Sequence, residues 1–94
     1  MWSARRKRHF SEEIQSDPDV KGRLTKMGQE IYDKGEYLRT DAATGNNFYQ
    51  DEFGRNIGTL PGGSTATRGG MWINNADEIK TIFPNGRGGE EPAP

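Results

Sequence analysis

The chain contains no cysteine, which excludes disulfide bonds, thiolate metal sites and a cysteine nucleophile, and leaves the redox compartment undetermined. It has no apolar run near the roughly 20 residues that a membrane-spanning helix needs. Only 30% of its 94 residues are hydrophobic and the mean hydropathy is −1.02, which is little for a self-sufficient core. We therefore expect one small soluble domain that gains further burial by assembling with neighbours.

Residues that commonly carry catalysis are also scarce. His9 is the one histidine of the sequence and has no acid placed to orient it as a general base or a metal ligand. No serine has a base partner that the sequence identifies. The glycine-rich segment 61–70 lacks the Gly-Lys-Ser/Thr ending of a phosphate-binding loop. We expect a protein that is not an enzyme and that uses no cofactor and no metal.

Charge is unevenly distributed although the net charge is only −1. Arg5, Arg6, Lys7 and Arg8 form a basic run near Trp2, and the glycine- and proline-rich tail at the other end carries two glutamates. The basic run is suited to contact DNA phosphates or an acidic partner. It is equally typical of a solvated arm, and the sequence leaves these interpretations open.

The clearest periodicity lies in residues 17–38 and predicts an amphipathic helix, preceded by a short helical turn over 10–14 that Ser11 caps. We expect Asp17 to cap the main helix. The apolar stripe comprises Val20, Leu24, Met27 and Ile31, with Leu38 a further heptad on. Gly28 and Gly35 lie on or beside this stripe. They indicate either close approach of a sheet or a neighbouring subunit, or a helix that frays or ends near Gly35.

The second half of the chain is predicted to form strands. Segment 48–53 is the first, a turn over 54–56 leads to a second at 56–60 that forms a hairpin with it, and 71–74 and 78–83 follow. We expect a flexible loop over 61–70, a turn over 74–77, and an end of the last strand over Pro84-Asn85-Gly86. The side chains predicted to receive the helix stripe are Phe48, Trp72, Ile73, Ile79 and Ile82.

These patterns predict an α+β fold in which one main amphipathic helix packs on a small antiparallel sheet between extended, flexible arms. The predicted organisation is a basic N-terminal arm with a short helical turn (1–16), a single small α+β domain (17–86), and a tail (87–94) that is disordered or ordered by a partner. The residues that we predict at protein interfaces are Trp2, Gly28, Gly35, Tyr49 and Trp72.

The order of these features resembles the neck, head–tail adaptor or tail-completion proteins of long-tailed bacteriophages, the group described as similar to the HK97 minor tail protein. Asp17-Pro18-Asp19-Val20 ahead of the helix and the Thr44-Gly45 turn match that pattern, and the likeness covers residues 17–86. The chain departs from the pattern in three ways. No proline precedes the Thr-Gly turn, glycines stand at 28 and 35 where alanine is usual, and the closing Glu-x-Gly-Thr has no counterpart near 82–86.

The resemblance implies a non-catalytic virion protein, assembled in the bacterial cytoplasm. Its expected form is a homo-oligomeric ring of about six or twelve copies that joins the head to the tail. Neighbouring portal, connector or tail proteins, and packaged DNA, are the implied partners, and no membrane is involved. The alternative hypothesis, from the charge pattern, is a small nucleic-acid-binding or regulatory protein that uses Arg5–Arg8 as its contact.

Overall fold

The computed structural model describes residues 8–86 and gives them two helices and seven strands. The α+β prediction is confirmed, with more residues in strands than in helices. The elements in chain order are β1 His9–Phe10, α1 Glu12–Gln15, α2 Val20–Lys34, β2 Glu36–Thr40, β3 Asn47–Glu52, β4 Gly58–Thr59, β5 Thr65–Ala66, β6 Arg68–Ile73 and β7 Ile79–Asn85.

The main sheet has four antiparallel strands in the order β2-β3-β6-β7, and a smaller sheet has the order β1-β4-β5. The predicted hairpin between 48–53 and 56–60 is wrong, because β2 and β6 already occupy both edges of β3. Strand β4 instead pairs with β1 and β5. Strand β5 and the start of β6 also fall within 61–70, where the sequence predicted only a flexible loop.

The start of the main helix differs from the prediction by two residues. Asp19, not Asp17, is the capping residue, and its carboxylate accepts a hydrogen bond from the backbone N–H of Gly22 at 3.2 Å. The Asp17 carboxylate accepts from the backbone N–H of Asp19 at 2.8 Å, which uses Asp17 to shape the turn ahead of the helix. The short first helix is confirmed, with Ser11 accepting from the N–H of Ile14.

Gly35 caps the end of helix α2, so the interpretation that the helix ends near Gly35 holds at that position. A Cβ atom on Gly35 would lie 2.7 Å from the carbonyl oxygen of Gln50, because β2 starts immediately and pairs with β3. The expectation that Leu38 continues the helix stripe is therefore wrong. Leu38 lies in β2, where it is 38% exposed.

The other interpretation holds at Gly28, which is buried where α2 crosses the main sheet. A Cβ atom there would lie 2.6 Å from Cδ1 of Ile79 and 3.4 Å from the sulfur of Met71. Glycine therefore allows this close approach without displacing the end of the Ile79 side chain. Around it, Ile31 packs on Met71 and Ile73.

A neighbouring cluster at the start of α2 joins the helix to the smaller elements. Met27 and Leu24 pack with Ile14 of α1 and with Ile57, the residue before β4. Ile14 is 1% exposed, so residues that the sequence assigned to the N-terminal arm contribute to the core.

The opposite face of the main sheet carries a separate aromatic cluster. Phe48, Trp72 and Phe83 pack together there, and the rings of Phe48 and Trp72 lie 5.1 Å apart. The prediction that Phe48 and Trp72 receive the helix stripe is wrong, since alternation along β6 points Trp72 away from the face that carries Met71 and Ile73.

Polar groups complete this outer face. The buried Asn85 side chain donates from Nδ2 to Oε1 of Gln50 at 2.6 Å. Two guanidinium groups lie over aromatic rings, with the Cζ of Arg39 4.9 Å from the Trp72 ring centre and that of Arg8 5.8 Å from the Phe83 ring centre. Strand β7 ends at Asn85, within the predicted stop over Pro84-Asn85-Gly86, although Pro84 and Asn85 still belong to the strand.

Candidate interaction surface

Most of the exposed large hydrophobic side chains lie along one side of the molecule. Five such side chains are exposed among residues 8–86, and three of them, Tyr32, Tyr37 and Ile79, line this side together with the half-buried Tyr49. We refer to these four residues as the tyrosine strip. Exposed apolar patches of this kind mark surfaces that contact other molecules.

The strip exists because helix α2 packs on β3, β6 and β7 but leaves the same face of β2 uncovered. Tyr37 on β2 is paired directly with Tyr49 on β3, and their ring centres lie 5.6 Å apart. Tyr32, from the last turns of α2, lies 5.4 Å from the same Tyr49 ring. Tyr49 therefore joins an exposed strand to the exposed flank of the helix.

A β-bulge at Leu38 alters the edge strand beside the strip. Tyr37 and Arg39 pair with adjacent residues of β3, so Leu38 is an extra residue in the edge strand. Such a bulge bends an edge strand and hinders the addition of another strand to its backbone groups. Contact with a partner at this edge is therefore expected to use side chains.

On the other side of Tyr32 the strip borders a cavity of about 160 Å³ between α2 and the end of the main sheet. Met71 and Ile73 belong to the sheet side of its lining, and Gly28 to the helix side. The described residues that line it are Thr25, Gly28, Gln29, Tyr32, Met71, Ile73, Asp77 and Ile79.

The turn between β6 and β7 fixes Asp77 in the wall of this cavity. The Asn74 side-chain oxygen accepts from the backbone N–H groups of Ala76 and Glu78, at 2.9 and 3.0 Å. Asp77 has a positive φ of 61°, which Asp adopts more readily than most residues. The turn predicted at 74–77 is confirmed, and it places a carboxylate beside an apolar cavity.

Two carboxylates act on the hydroxyl group of Tyr32. The Asp77 carboxylate, followed by partial burial, raises the pKa of Tyr32, and Asp33 on the next helix position acts in the same direction. The eight described lining residues of the cavity include no lysine or arginine. The strip therefore combines exposed aromatic rings with two carboxylates, Asp77 and Asp33, near Tyr32.

The predicted interface residues are found in different environments. Tyr49 lies at the centre of the strip and Gly28 in the wall of its cavity. Gly35 ends the helix, and Trp72 is fully buried on the opposite face of the sheet, so an interface role for these two stays a prediction. Trp2 lies outside the described residues.

Sequence reasoning missed Tyr32, Tyr37, Leu38 and Ile79 as surface residues. The pattern read Leu38 as helix and Ile79 as a partner of the helix stripe. Ile79 does contact the Gly28 position, yet it is 41% exposed. Three tyrosines, at 32, 37 and 49, are all that the sequence contains, and their convergence requires β2 to pair with β3.

Of the basic run, only Arg8 lies within the described residues. Its Nη1 donates to the carbonyl oxygen of Pro84 at 3.1 Å and to Oδ1 of Asn85 at 3.3 Å, beside the Phe83 ring. Arg8 is thus bound at the end of β7 on the outer face. Arg5, Arg6 and Lys7 lie outside the described part of the chain.

Within residues 8–86 the structure gives no support for a metal site or a membrane-spanning helix. No three His, Asp or Glu residues there are grouped to hold a metal ion. His9 is exposed on β1. The helices of this part of the chain are all too short or too polar to span a membrane.

Comparison with protein-family models, with curated proteins and with solved structures finds no match for this chain. The likeness to phage neck proteins therefore depends on the sequence motifs alone.

Proposed function

We propose that this chain is a structural subunit of a tailed bacteriophage virion, assembled in the bacterial cytoplasm into a neck or tail-completion ring that joins the head to the tail. The proposal assigns the chain no catalytic role. Its partners are further copies of itself and the neighbouring portal, connector or tail proteins.

The tyrosine strip is the observation that supports this proposal best. It gathers exposed Tyr32, Tyr37 and Ile79 on a chain whose sequence is poor in hydrophobic residues. A monomer gains nothing by leaving the larger part of its exposed apolar side chains together, whereas a ring subunit buries such a surface against its neighbour. Aromatic residues are also enriched at the centres of protein interfaces.

The topology of the main sheet is compatible with a repeating contact. The strip extends from β2 to Ile79, the first residue of the other edge strand, β7, so a neighbour bound there leaves the later residues of β7 available. Contacts between two different surfaces of the same subunit generate rings when the rotation closes. A symmetric dimer would instead use one surface twice.

Native mass spectrometry of the full-length chain over a range of concentrations tests the proposal. We expect a closed oligomer of about six or twelve copies, because rotational closure is what a neck ring requires. A folded monomer or dimer at all concentrations, also in the presence of candidate neck partners, would contradict it. If that species bound DNA with a steep salt dependence that deletion of residues 1–9 removed, the nucleic-acid-binding alternative would replace it.

A further inference from the structure

The tyrosine strip has a chemical character that identifies the class of segment it suits. Its rings are exposed, with Tyr37 51% and Tyr32 42% accessible. Its cavity is apolar at the floor and carries the Asp77 carboxylate in the wall, with Asp33 next to Tyr32. Tyrosine faces and carboxylates together favour cationic side chains, since a guanidinium stacks on the ring while it pairs with the acid.

The chain itself contains one segment with this complementary chemistry. Residues 1–7 have the sequence MWSARRK, with Arg5, Arg6 and Lys7 in succession and Trp2 close by. The cations match the acidic side of the strip. The tryptophan is a suitable apolar side chain to cover the tyrosine rings or the floor of the cavity.

The position of Arg8, from which residues 1–7 extend, favours binding of this segment between subunits over binding within one chain. Arg8 is bound beside Pro84 and Asn85, at one end of β7, whereas Ile79 begins the strip at the other end. Six strand steps separate these ends, or about 20 Å at 3.3 Å per residue. Seven residues span at most about 25 Å when fully extended, so the segment would be nearly exhausted before it rounded the sheet edge onto the helix side.

We propose that the tyrosine strip binds the basic amino-terminal segment, residues 1–7, of a second copy of this chain. This inference rests on the proposed ring, for which it names the contact between subunits. Each subunit would offer its segment to one neighbour and its strip to the other, which is a head-to-tail contact that allows a ring to close.

Because the chain contains no cysteine, disulfide trapping gives a direct test. Full-length Ser3→Cys is mixed with full-length Gln29→Cys, whose cysteine lies in the cavity wall, and mildly oxidised. The matched control replaces Gln29→Cys by Lys34→Cys, which lies on an exposed position of the same helix but not in the cavity lining. Since each chain carries one cysteine, a Ser3→Cys/Gln29→Cys product joins two different chains.

We expect the yield of mixed dimer to be at least about tenfold higher with Gln29→Cys than with the Lys34→Cys control. The reason is that a bound segment raises the effective concentration of its thiol into the millimolar range. Raising the salt concentration should reduce the difference, as expected for charge pairing at a surface. Adding Tyr37→Ala to the Gln29→Cys chain should also reduce it, whereas Val20→Ala, at 38% exposure and outside the strip, should not.

Equal yields with Gln29→Cys and Lys34→Cys, or no mixed product at all, would overturn this inference. Native mass spectrometry of the unmodified chain separates that result from failure of the proposed function. A closed ring without selective trapping leaves the ring and removes this contact. Selective trapping in a chain that forms only open or dimeric species supports the contact and contradicts the ring.

Discussion

The two faces of the main sheet are built from different chemistry. The helix side is aliphatic, with Ile31 packed on Met71 and Ile73, and its border is exposed at the tyrosine strip. The outer side is aromatic, with Phe48 and Trp72 fully buried, and it also contains a buried amide pair. Adjacent residues of β6 serve opposite faces, so each single-residue step along this strand moves from one chemistry to the other.

This difference separates two structural roles. Rings and amides with fixed partners specify a unique arrangement, because an unpaired buried amide costs free energy. Aliphatic side chains on the helix side accept small shifts more easily, and this is the side on which a neighbour is proposed to bind. We therefore expect the outer face to determine the stability of the sheet and the helix side to adapt to assembly.

The largest expected effect is the loss of Trp72. Trp72→Ala removes the largest fully buried side chain of the described residues and should cost about 3–5 kcal/mol of unfolding free energy. Ile73→Ala, the adjacent residue on the helix side, should cost less, in the lower part of the roughly 2–5 kcal/mol range. Chemical denaturation of both variants measures the difference. A larger cost for Ile73→Ala would reverse the ranking of the two faces.

The buried amide pair should give the next largest effect. Asn85→Leu leaves Oε1 of Gln50 without its donor inside the outer face and should cost about 1–3 kcal/mol. In the double variant with Gln50→Leu no acceptor is left unpaired, so its cost should be smaller than the sum of the two single costs. A double-mutant cycle by denaturation measures this coupling. Strict additivity would show that the pair does not contribute as a unit.

Alanine substitutions at two adjacent glycines of β6, Gly69 and Gly70, compare how much each face of the main sheet resists an added methyl group. A Cβ atom on Gly70 would lie 2.6 Å from Phe83 and 3.1 Å from Phe48, two packed rings of the outer face, so Gly70→Ala should cost about 1–3 kcal/mol. On Gly69 it would lie 2.7 Å from the half-buried ring of Phe53 and 3.1 Å from Cδ1 of Ile31, the end of a flexible side chain. Gly69→Ala should therefore cost less in thermal unfolding, and equal costs would show that both faces are equally rigid.

The sequence predicted the α+β class and the main helix because periodicity records which side of an element is buried. It did not predict which face of the sheet the helix covers. Trp72 and Ile73 are both apolar, and alternation assigns them to different faces only once the register with β3 is known. It also misplaced the helix start, since Asp17 and Asp19 are both acceptable caps and local hydrogen bonding decides between them.

The candidate surface was predictable only in part. The sequence identifies Tyr49 as a large aromatic on a strand, and close approach is one of the two roles that it indicates for Gly28. Tyr37 and Leu38 fall within the segment whose periodicity predicts a helix, because Gly35 alone does not reveal that a strand starts after it. A surface made by residues 32, 37, 49 and 79 depends on long-range strand pairing, which local patterns do not encode.

The smallest expected effect concerns acid, and it should distinguish the two faces by their response. Arg23 of α2 donates to Glu13 of α1 and to Asp17, with N–O distances of 3.0 and 3.3 Å, which joins the helical elements on one side of the sheet. Hydrogen bonding to Arg23 lowers the pKa of Glu13, and the backbone N–H of Asp19, with further help from Arg23, lowers the pKa of Asp17. The outer pair, Gln50 and Asn85, has no titrating group.

A carboxyl group whose pKa is lowered by folding stabilises the folded state above its unfolded pKa, and this contribution is lost as the pH falls through the folded pKa. The ordinary values are 4.5 for Glu13 and 3.8 for Asp17, so the loss begins near these values and continues below them. Asp41, in the turn between β2 and β3, also has a lowered pKa, because Thr44 donates to it, and it adds a loss of the same sign outside the helices.

We therefore expect amide hydrogen exchange in α1 and the first turns of α2 to accelerate in acid before that of β3 and β6, after correction for intrinsic rates. Arg23→Gln should reduce this difference, because it removes the side-chain partner that Glu13 and Asp17 share, and it should leave the outer-face amides unchanged. The effect should be small, since exposed ion pairs contribute little in water. If helices and strands opened together in the unmodified chain and in Arg23→Gln alike, the two faces of the sheet would unfold as one unit.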